Sequence, residues 1–352
     1  MLLLTGCPSS QVKTNLGEPQ YLEGERGVLS VQIVSNAVGL APSIRQWKQI
    51  SLVDVNDSEV RVGLARAPDG HSTSDLFLGS LPPGTYRLES LFSSEIIGGE
   101  VVRIEAPIPV ELGEFDVVSG SITNLGTLLF HPTVESPAEI SGGDYPFSFG
   151  RVEGRMEIKP YLESKFDWLP ASYFSTPELS WNEGSRAALS TRDLSRMGAV
   201  PVDSVSMRDG TLVSIGKLGQ LRWRGEGSES WSRSDTGAIE QIEHVGGSSS
   251  GLIAIGERGL VLRSDGWGES WSRVQGPGAD QVGIWAELTD QGKAFLLTRS
   301  ANDILLYGGS VEDGDWDLFA RFELDYDLRS EGDLISRGRR VAFAHLDDAQ
   351  LT

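Results

Sequence analysis

A chain of 352 residues has room for two domains, each with its own core. Its 50 acidic against 30 basic residues leave a formal charge of −20, spread along the chain, which repels phosphate backbones and excludes nucleic acid as the expected partner. One cysteine excludes an internal disulfide, no apolar run is long enough for a membrane helix, and 42 glycines with 16 prolines favour many short strands over long helices.

The chain opens Leu2-Leu3-Leu4-Thr5-Gly6-Cys7. This string resembles the lipobox of bacterial lipoproteins, in which a leucine and two small residues precede the modified cysteine. The resemblance implies that residues 1–7 are the remnant of a signal peptide and that Cys7 carries lipid through its nucleophilic thiol. Three leucines fall short of the roughly 7–15 apolar residues of a signal peptide. A start upstream of Met1 and a chance match with a free thiol both stay open. Residues 8–26 are polar, with Gly and Pro, and suit a flexible tether.

Residues 27–135 predict a small β-sandwich. Val28 to Val34, Ile50 to Val55 and Glu59 to Ala65 alternate and are rich in β-branched side chains, as strands require. Asp75 to Leu81 is followed by Pro82-Pro83-Gly84, where Pro83-Gly84 predicts a type II turn with Gly84 at positive φ. Tyr86 and Leu88 then fall on one strand face and read as core. The string with Phe77, Leu81-Pro82-Pro83-Gly84, Tyr86 and Leu88 resembles transthyretin-like domains of bacterial surface proteins and carboxypeptidase regulatory-like modules. On that resemblance Phe115 to Leu128 is the last hairpin, and the module is a structural or binding one.

Pro137 to Gly143 is loop-like and marks the expected domain boundary. Residues 136–198 carry aromatics with no clean period, among them Tyr161, Phe166, Trp168, Tyr173 and Trp181. They read as a linker or an irregular first blade, with the aromatics in a core.

Residues 199–352 repeat. Ser214-Ile215-Gly216-Lys217-Leu218-Gly219 matches Ala254-Ile255-Gly256-Glu257-Arg258-Gly259, and Ser228-Glu229-Ser230-Trp231-Ser232-Arg233 matches Gly268-Glu269-Ser270-Trp271-Ser272-Arg273, without a gap, at a spacing of 40 residues. A period near 40 with several strands per unit predicts propeller blades. Each Gly-x-x-Gly pair predicts a tight hairpin with positive φ, and Trp231 and Trp271 are expected at equivalent, largely buried positions. A third unit ends at Asp313-Gly314-Asp315-Trp316, and a fourth begins at Asp333 to Ser336 and Arg340 to Ala344. That is barely enough for the ~4–8 blades that close a ring. The expected fold class is all-β, an N-terminal sandwich followed by a propeller that can be incomplete; whether the chain is truncated at its ends stays open.

The pattern resembles the Asp-box repeat of bacterial neuraminidases, and still more the photosystem II assembly factor type of propeller. Ser264, Gly268, Ser270 and Trp271 fit it, while Gly266 and Glu226 stand at the Asp position unless Asp265 slides into place. The resemblance implies a folding role for these residues, remote from any binding face.

No chemistry-bearing constellation emerges. His71, His131, His244 and His345 have no ligand spacing, so neither metal nor cofactor is expected. Glu312-Asp313-Gly314-Asp315 reads as a solvated acidic loop before a calcium site. Sialidase chemistry needs an arginine cluster and paired catalytic groups. Arg222, Arg224, Arg258 and Arg263 come nearest, beside Glu226 and Glu257. The resulting expectation is a non-enzyme: a lipid-anchored protein of the bacterial cell envelope, at the outer membrane or surface. It touches the membrane through the lipid only and binds a protein, or secondarily a glycan, on its propeller face. A degenerate sialidase-like enzyme and a purely structural envelope protein are the alternatives.

Overall fold

The computed structural model describes residues 12–14, 16, 25–35, 47–58, 61–67, 74–97, 100–132, 147–152, 156–182, 188–189, 203–207, 209–249, 251–266, 268–300, 303–323 and 339. They form two compact units, one up to Leu189 and one from Asp203 onward. Both are built from strands, and the fold is all-β. Cys7 and the fourth repeat expected at 333–344 lie outside the described residues, Arg339 apart.

The first unit is a two-sheet sandwich. Its strands are β1 (Val12–Thr14), β2 (Gly27–Ser35), β3 (Gln49–Asp54), β4 (Arg61–Ala65), β5 (Asp75–Leu81), β6 (Gly84–Ile97), β7 (Glu100–Pro107), β8 (Glu114–Val117), β9 (Ile122–Pro132) and β10 (Phe147–Val152). Two short helices, α1 (Ile158–Lys165) and α2 (Ala171–Ser175), and β11 (Ala188–Leu189) follow. One sheet runs β1-β4-β3-β6-β7 with β8 also on β6; the other runs β11-β10-β9-β2-β5. Alternation explains the core between them: Ile50 and Leu52, Tyr86 and Leu88, Phe115 and Val117 all point inward, against Leu29, Val31, Ile33, Leu128 and Phe130. Strands β2 and β9 pair in parallel, Val28 opposite Ile122. Tyr86 is a core residue whose Oη donates to the Pro82 carbonyl at 3.0 Å. Burial raises its pKa above the ordinary tyrosine value.

Four expectations change here. Gly84 does not take the positive φ of a type II turn; it opens β6 opposite Val117. Phe115 to Leu128 is not a hairpin, because β8 pairs with β6 while β9 joins the other sheet. The stretch 136–198 is not a first blade. Its described part adds β10 to the sandwich, and Tyr173 Oη, Trp181 Nε1 and Asn124 Nδ2 tie 156–182 to it through the carbonyls of Arg26, Leu125 and Met156. Finally, residues 8–26 are not all tether. Val12–Thr14 pair with β4, and Leu16 is buried.

The second unit consists of three four-stranded antiparallel meanders, here called blades. The first is β12 (Asp203–Ser206), β13 (Leu212–Ile215), β14 (Gln220–Arg224) and β15 (Ser232–Asp235). The second is β16 (Ile242–Ser248), β17 (Gly251–Gly256), β18 (Val261–Ser264) and β19 (Ser272–Val274). The third is β20 (Val282–Leu288), β21 (Lys293–Ser300), β22 (Asp303–Ser310) and β23 (Asp315–Glu323). The 40-residue repeat holds at the level of register: Leu212 pairs with Arg224 as Leu252 does with Ser264, and Ile215 with Leu221 as Ile255 does with Val261.

Strand alternation gives each blade two faces. Val213, Ile215 and Leu221 face the second blade and meet its Leu252, Ala254 and Leu262. On the other side of the second blade, Ile253, Ile255 and Val261 meet Ala286, Leu288, Ala294 and Leu296 of the third. Blade packing is therefore continuous across the unit.

Candidate binding surface

The residues singled out by the repeat stand in the hairpins of the blades and in the loop that joins two of them. The Gly216 N–H donates to the Gln220 carbonyl at 2.8 Å, and that of Gly256 to Leu260 at 3.0 Å, closing equivalent hairpins. Only the second glycine of each pair takes positive φ: Gly219 at 64° and Gly259 at 70°. Gly256 is extended, at φ −159°. The left-handed partner is instead the preceding residue, Leu218 at 56° or Arg258 at 53°. Two consecutive positive φ values make a type I′ turn, whose twist matches the flanking strands.

The Asp-box-like loop of the second blade fastens it to the first. Ser264 is buried, and its Oγ accepts the Gly268 N–H at 3.2 Å. The Gly268 carbonyl in turn accepts the Ser234 hydroxyl of β15. Trp271 is half-buried against the core shared by these two blades. Trp316 repeats the theme one blade on, donating from Nε1 to the Gln275 carbonyl at 2.8 Å. Trp231 is different. It precedes β15 as Trp271 precedes β19, but it is 42% exposed, which corrects the expectation that both are largely buried. No blade precedes the first among the described residues.

The four arginines read as the nearest thing to a cluster do not converge. Arg258 is buried and pairs with Glu257 at 3.0 Å. Arg263 bridges Asp265 at 2.8 Å and Glu312 at 3.2 Å, which keeps Asp265 out of the loop position an Asp-box would give it. Arg222 and Arg224 stand on β14 of the first blade.

Among the described residues two surfaces stand out. The first is an open groove of about 460 Å³ between the outer strands of the second blade and the turn that leads into β23. Arg263, Arg273, Asp265, Glu312 and Asp313 give it both signs of charge, with Ser272 and Gln275 between them. Arg273 also reaches the buried carboxylate of Glu240. The second is the face of the first blade that points away from the second. There Arg222 on β14 lies directly opposite Arg233 on β15, and Arg224 lies opposite Leu212. The Arg224 guanidinium stands 5.0 Å from the centre of the Trp231 ring, within reach of a cation–π attraction.

Other candidates are accounted for. Among the described residues no group of three His, Cys, Asp or Glu could hold a metal, and Glu312 is tied to Arg263. His71 and His345 lie outside the described residues. His244 Nδ1 accepts the Ala286 N–H at 3.2 Å, joining the inner strands of the second and third blades. In the first unit Arg151 stacks 3.8 Å over Trp181, and burial pulls its pKa down to about 10.

No protein-family model matches the sequence. No curated protein matches it either. Three solved structures resemble it in part. A structure of YCF48 bound to a D1 peptide is 15% identical over 34% of this chain and 43% of that one, with a TM-score of 0.28. YCF48 from Cyanidioschyzon merolae is 9% identical over 77% of this chain and 85% of that one, at 0.29. A NanB sialidase variant from Streptococcus pneumoniae is 10% identical over 79% and 42%, at 0.27. The chain spans less than half of the first and the last of these structures. Similarity at this level supplies no site residue and no activity.

Sequence reading missed Arg233 and Arg273 as surface-forming residues. Arg222 and Ser214, by contrast, stand out when the two copies are compared. Copying the second blade onto the first puts Arg222 where Leu262 is buried and Ser214 where Ala254 is buried.

Proposed function

We propose that the chain is a non-catalytic scaffold that holds a protein partner on its blade unit, carried at the bacterial cell envelope by lipid on Cys7. The groove between the second and third blades supports this reading. Its lining alternates arginine and carboxylate within a few residues, and Ser272 and Gln275 add neutral hydrogen-bonding groups. A polypeptide offers both signs of charge, together with amides, and fits such a lining. An anionic sugar needs arginines available for its carboxylate, and Arg263 and Arg273 already hold Asp265, Glu312 and Glu240.

The test places a photo-crosslinking residue at Ser272 in the native host. A discrete protein adduct is expected, and Arg263→Glu with Arg273→Glu should abolish it. Capture that survives those substitutions, or turnover of a fluorogenic sialoside by the purified chain, overturns the reading. For the anchor, wild type should take up radioactive fatty acid and Cys7→Ser should not; equal labelling defeats that part.

A further inference from the structure

The outward face of the first blade carries chemistry its counterpart lacks. In the second blade the equivalent positions are Leu252, Ala254, Leu262 and Ser264, all buried. In the first they are Leu212, Ser214, Arg222 and Arg224, all half-buried. Arrays of stacked repeats end in units with a polar outer face, and serine alone would satisfy that requirement. Arginine goes further. The register sets Arg222 and Arg233 directly opposite each other, and like charges so placed in a sheet repel. Among the residues whose side chains are described, no acid pairs with Arg222 or Arg224. Beside them lies the exposed indole of Trp231. On a body of charge −20, this is a concentrated cationic and aromatic surface.

The geometry points to a docking surface for an acidic polypeptide segment, which extends the scaffold reading to a second place on the same unit. Guanidinium groups hold carboxylates through paired hydrogen bonds. Arg222 and Arg224 are two residues apart on one strand, so their Cα atoms are spaced by about 6.5–7 Å. Carboxylates at alternate positions of an extended peptide have the same spacing. Trp231 supplies the apolar contact between them and the peptide's own side chains. A nucleic acid, with its dense line of phosphates, meets long-range repulsion from the rest of the chain; a short segment with two or three carboxylates meets much less.

The experiment uses the full chain and a fluorescein-labelled peptide with Glu at alternate positions and Phe between them, read by anisotropy. A second peptide has Gln for every Glu. The Glu peptide should bind saturably and more weakly as salt rises. The Gln peptide, and the Arg222→Glu, Arg224→Glu variant, should each lose about tenfold or more in affinity. Trp231→Phe should bind close to wild type and Trp231→Ala should not. Circular-dichroism melting identifies variants that fail to fold, in which case Arg222→Gln with Arg224→Gln takes their place. Equal binding of the two peptides, equal binding by the folded arginine variant, or tighter binding of a short DNA duplex overturns the inference. So does self-association of the chain, seen by sedimentation, that the arginine substitutions abolish: the face is then a contact between copies. Loss of peptide binding with the Ser272 crosslink intact removes this inference and leaves the groove reading standing.

Discussion

The hydroxyl of Ser234, in the outer strand of the first blade, donates to the carbonyl of Gly268, in the loop of the second. The Asp-box-like loop is therefore a fastening between neighbouring sheets. Gly268 holds φ at 88° to present that carbonyl, and the buried Ser264 holds the loop from within. The residue types that repeat in the sequence need no ligand to explain them.

Ser234→Ala should remove the fastening and cost the second unit about 1 kcal/mol, the usual net value of a buried hydrogen bond. The urea midpoint of that unit's unfolding reads it. A midpoint equal to wild type would mean that the bond adds nothing.

The two tryptophans should separate in the same assay. Trp271→Ala is expected to destabilise by about 2 kcal/mol or more, because its ring fills space between blades, and Trp231→Ala by less than about 1 kcal/mol. The reverse order would show that half-burial is a poor guide to what each ring supports.

The repeat was legible because its signals are local. Ile215 and Ile255, the paired glycines and the tryptophans sit at fixed offsets, and a spacing of 40 residues needs no long-range information. Helices α1 and α2 were not legible. Lys159, Glu163 and Lys165 dilute the apolar face of the first, and Ile158, Tyr161 and Leu162 are buried only because the sandwich stands behind them. Strand β10 was missed for a similar reason: its alternation begins inside an aromatic-rich stretch, and only pairing with β9 makes it a strand. Arg222 and Arg224 were legible as neighbouring arginines, but that Arg233 stands opposite Arg222 was not, because only the strand register brings the two together.

Gly259 and Gly227 share the same backbone requirement, at φ 70° and 72°. A Cβ on Gly227 meets nothing within 4 Å, whereas one on Gly259 would lie 2.5 Å from the Gly278 carbonyl oxygen. Gly227→Ala should cost about 1 kcal/mol for the left-handed conformation alone. Gly259→Ala should cost clearly more, since the link to the third blade must shift as well. Similar melting temperatures for the two variants would refute the close approach.

Glu257 and Arg258 form a buried ion pair, with side chains 0% and 3% exposed. Removing one partner leaves the other charge buried without its complement. Glu257→Gln should therefore destabilise by about 3–5 kcal/mol, while replacing both by Met should cost considerably less. A double-mutant cycle in urea measures the coupling, and additive losses would contradict it.

Burial lowers the pKa of His131 below its ordinary value of 6.5. The folded state thus binds its proton less readily than the unfolded chain. The neutral imidazole's contribution is complete above the unfolded value and is lost as pH falls through it toward the lower folded value. The first unit should weaken as pH falls through the ordinary histidine value of 6.5, and His131→Gln should flatten that slope. Parallel slopes for wild type and variant would leave His131 without a role in it.

Strand β2 completes its pairing only when β9 arrives, because Val28 lies beside Ile122. Every pairing within a blade, by contrast, joins strands adjacent in the chain. Contacts between distant parts of a chain form slowly, since a long loop must close first, and contacts between neighbours form quickly. During synthesis the N-terminal half therefore waits, with the apolar residues of β2 uncovered, until the ribosome has delivered residue 132. Each blade can zip as it emerges. The half made first is the half that finishes slowly, and the step most exposed to chaperones and proteases lies in the sandwich.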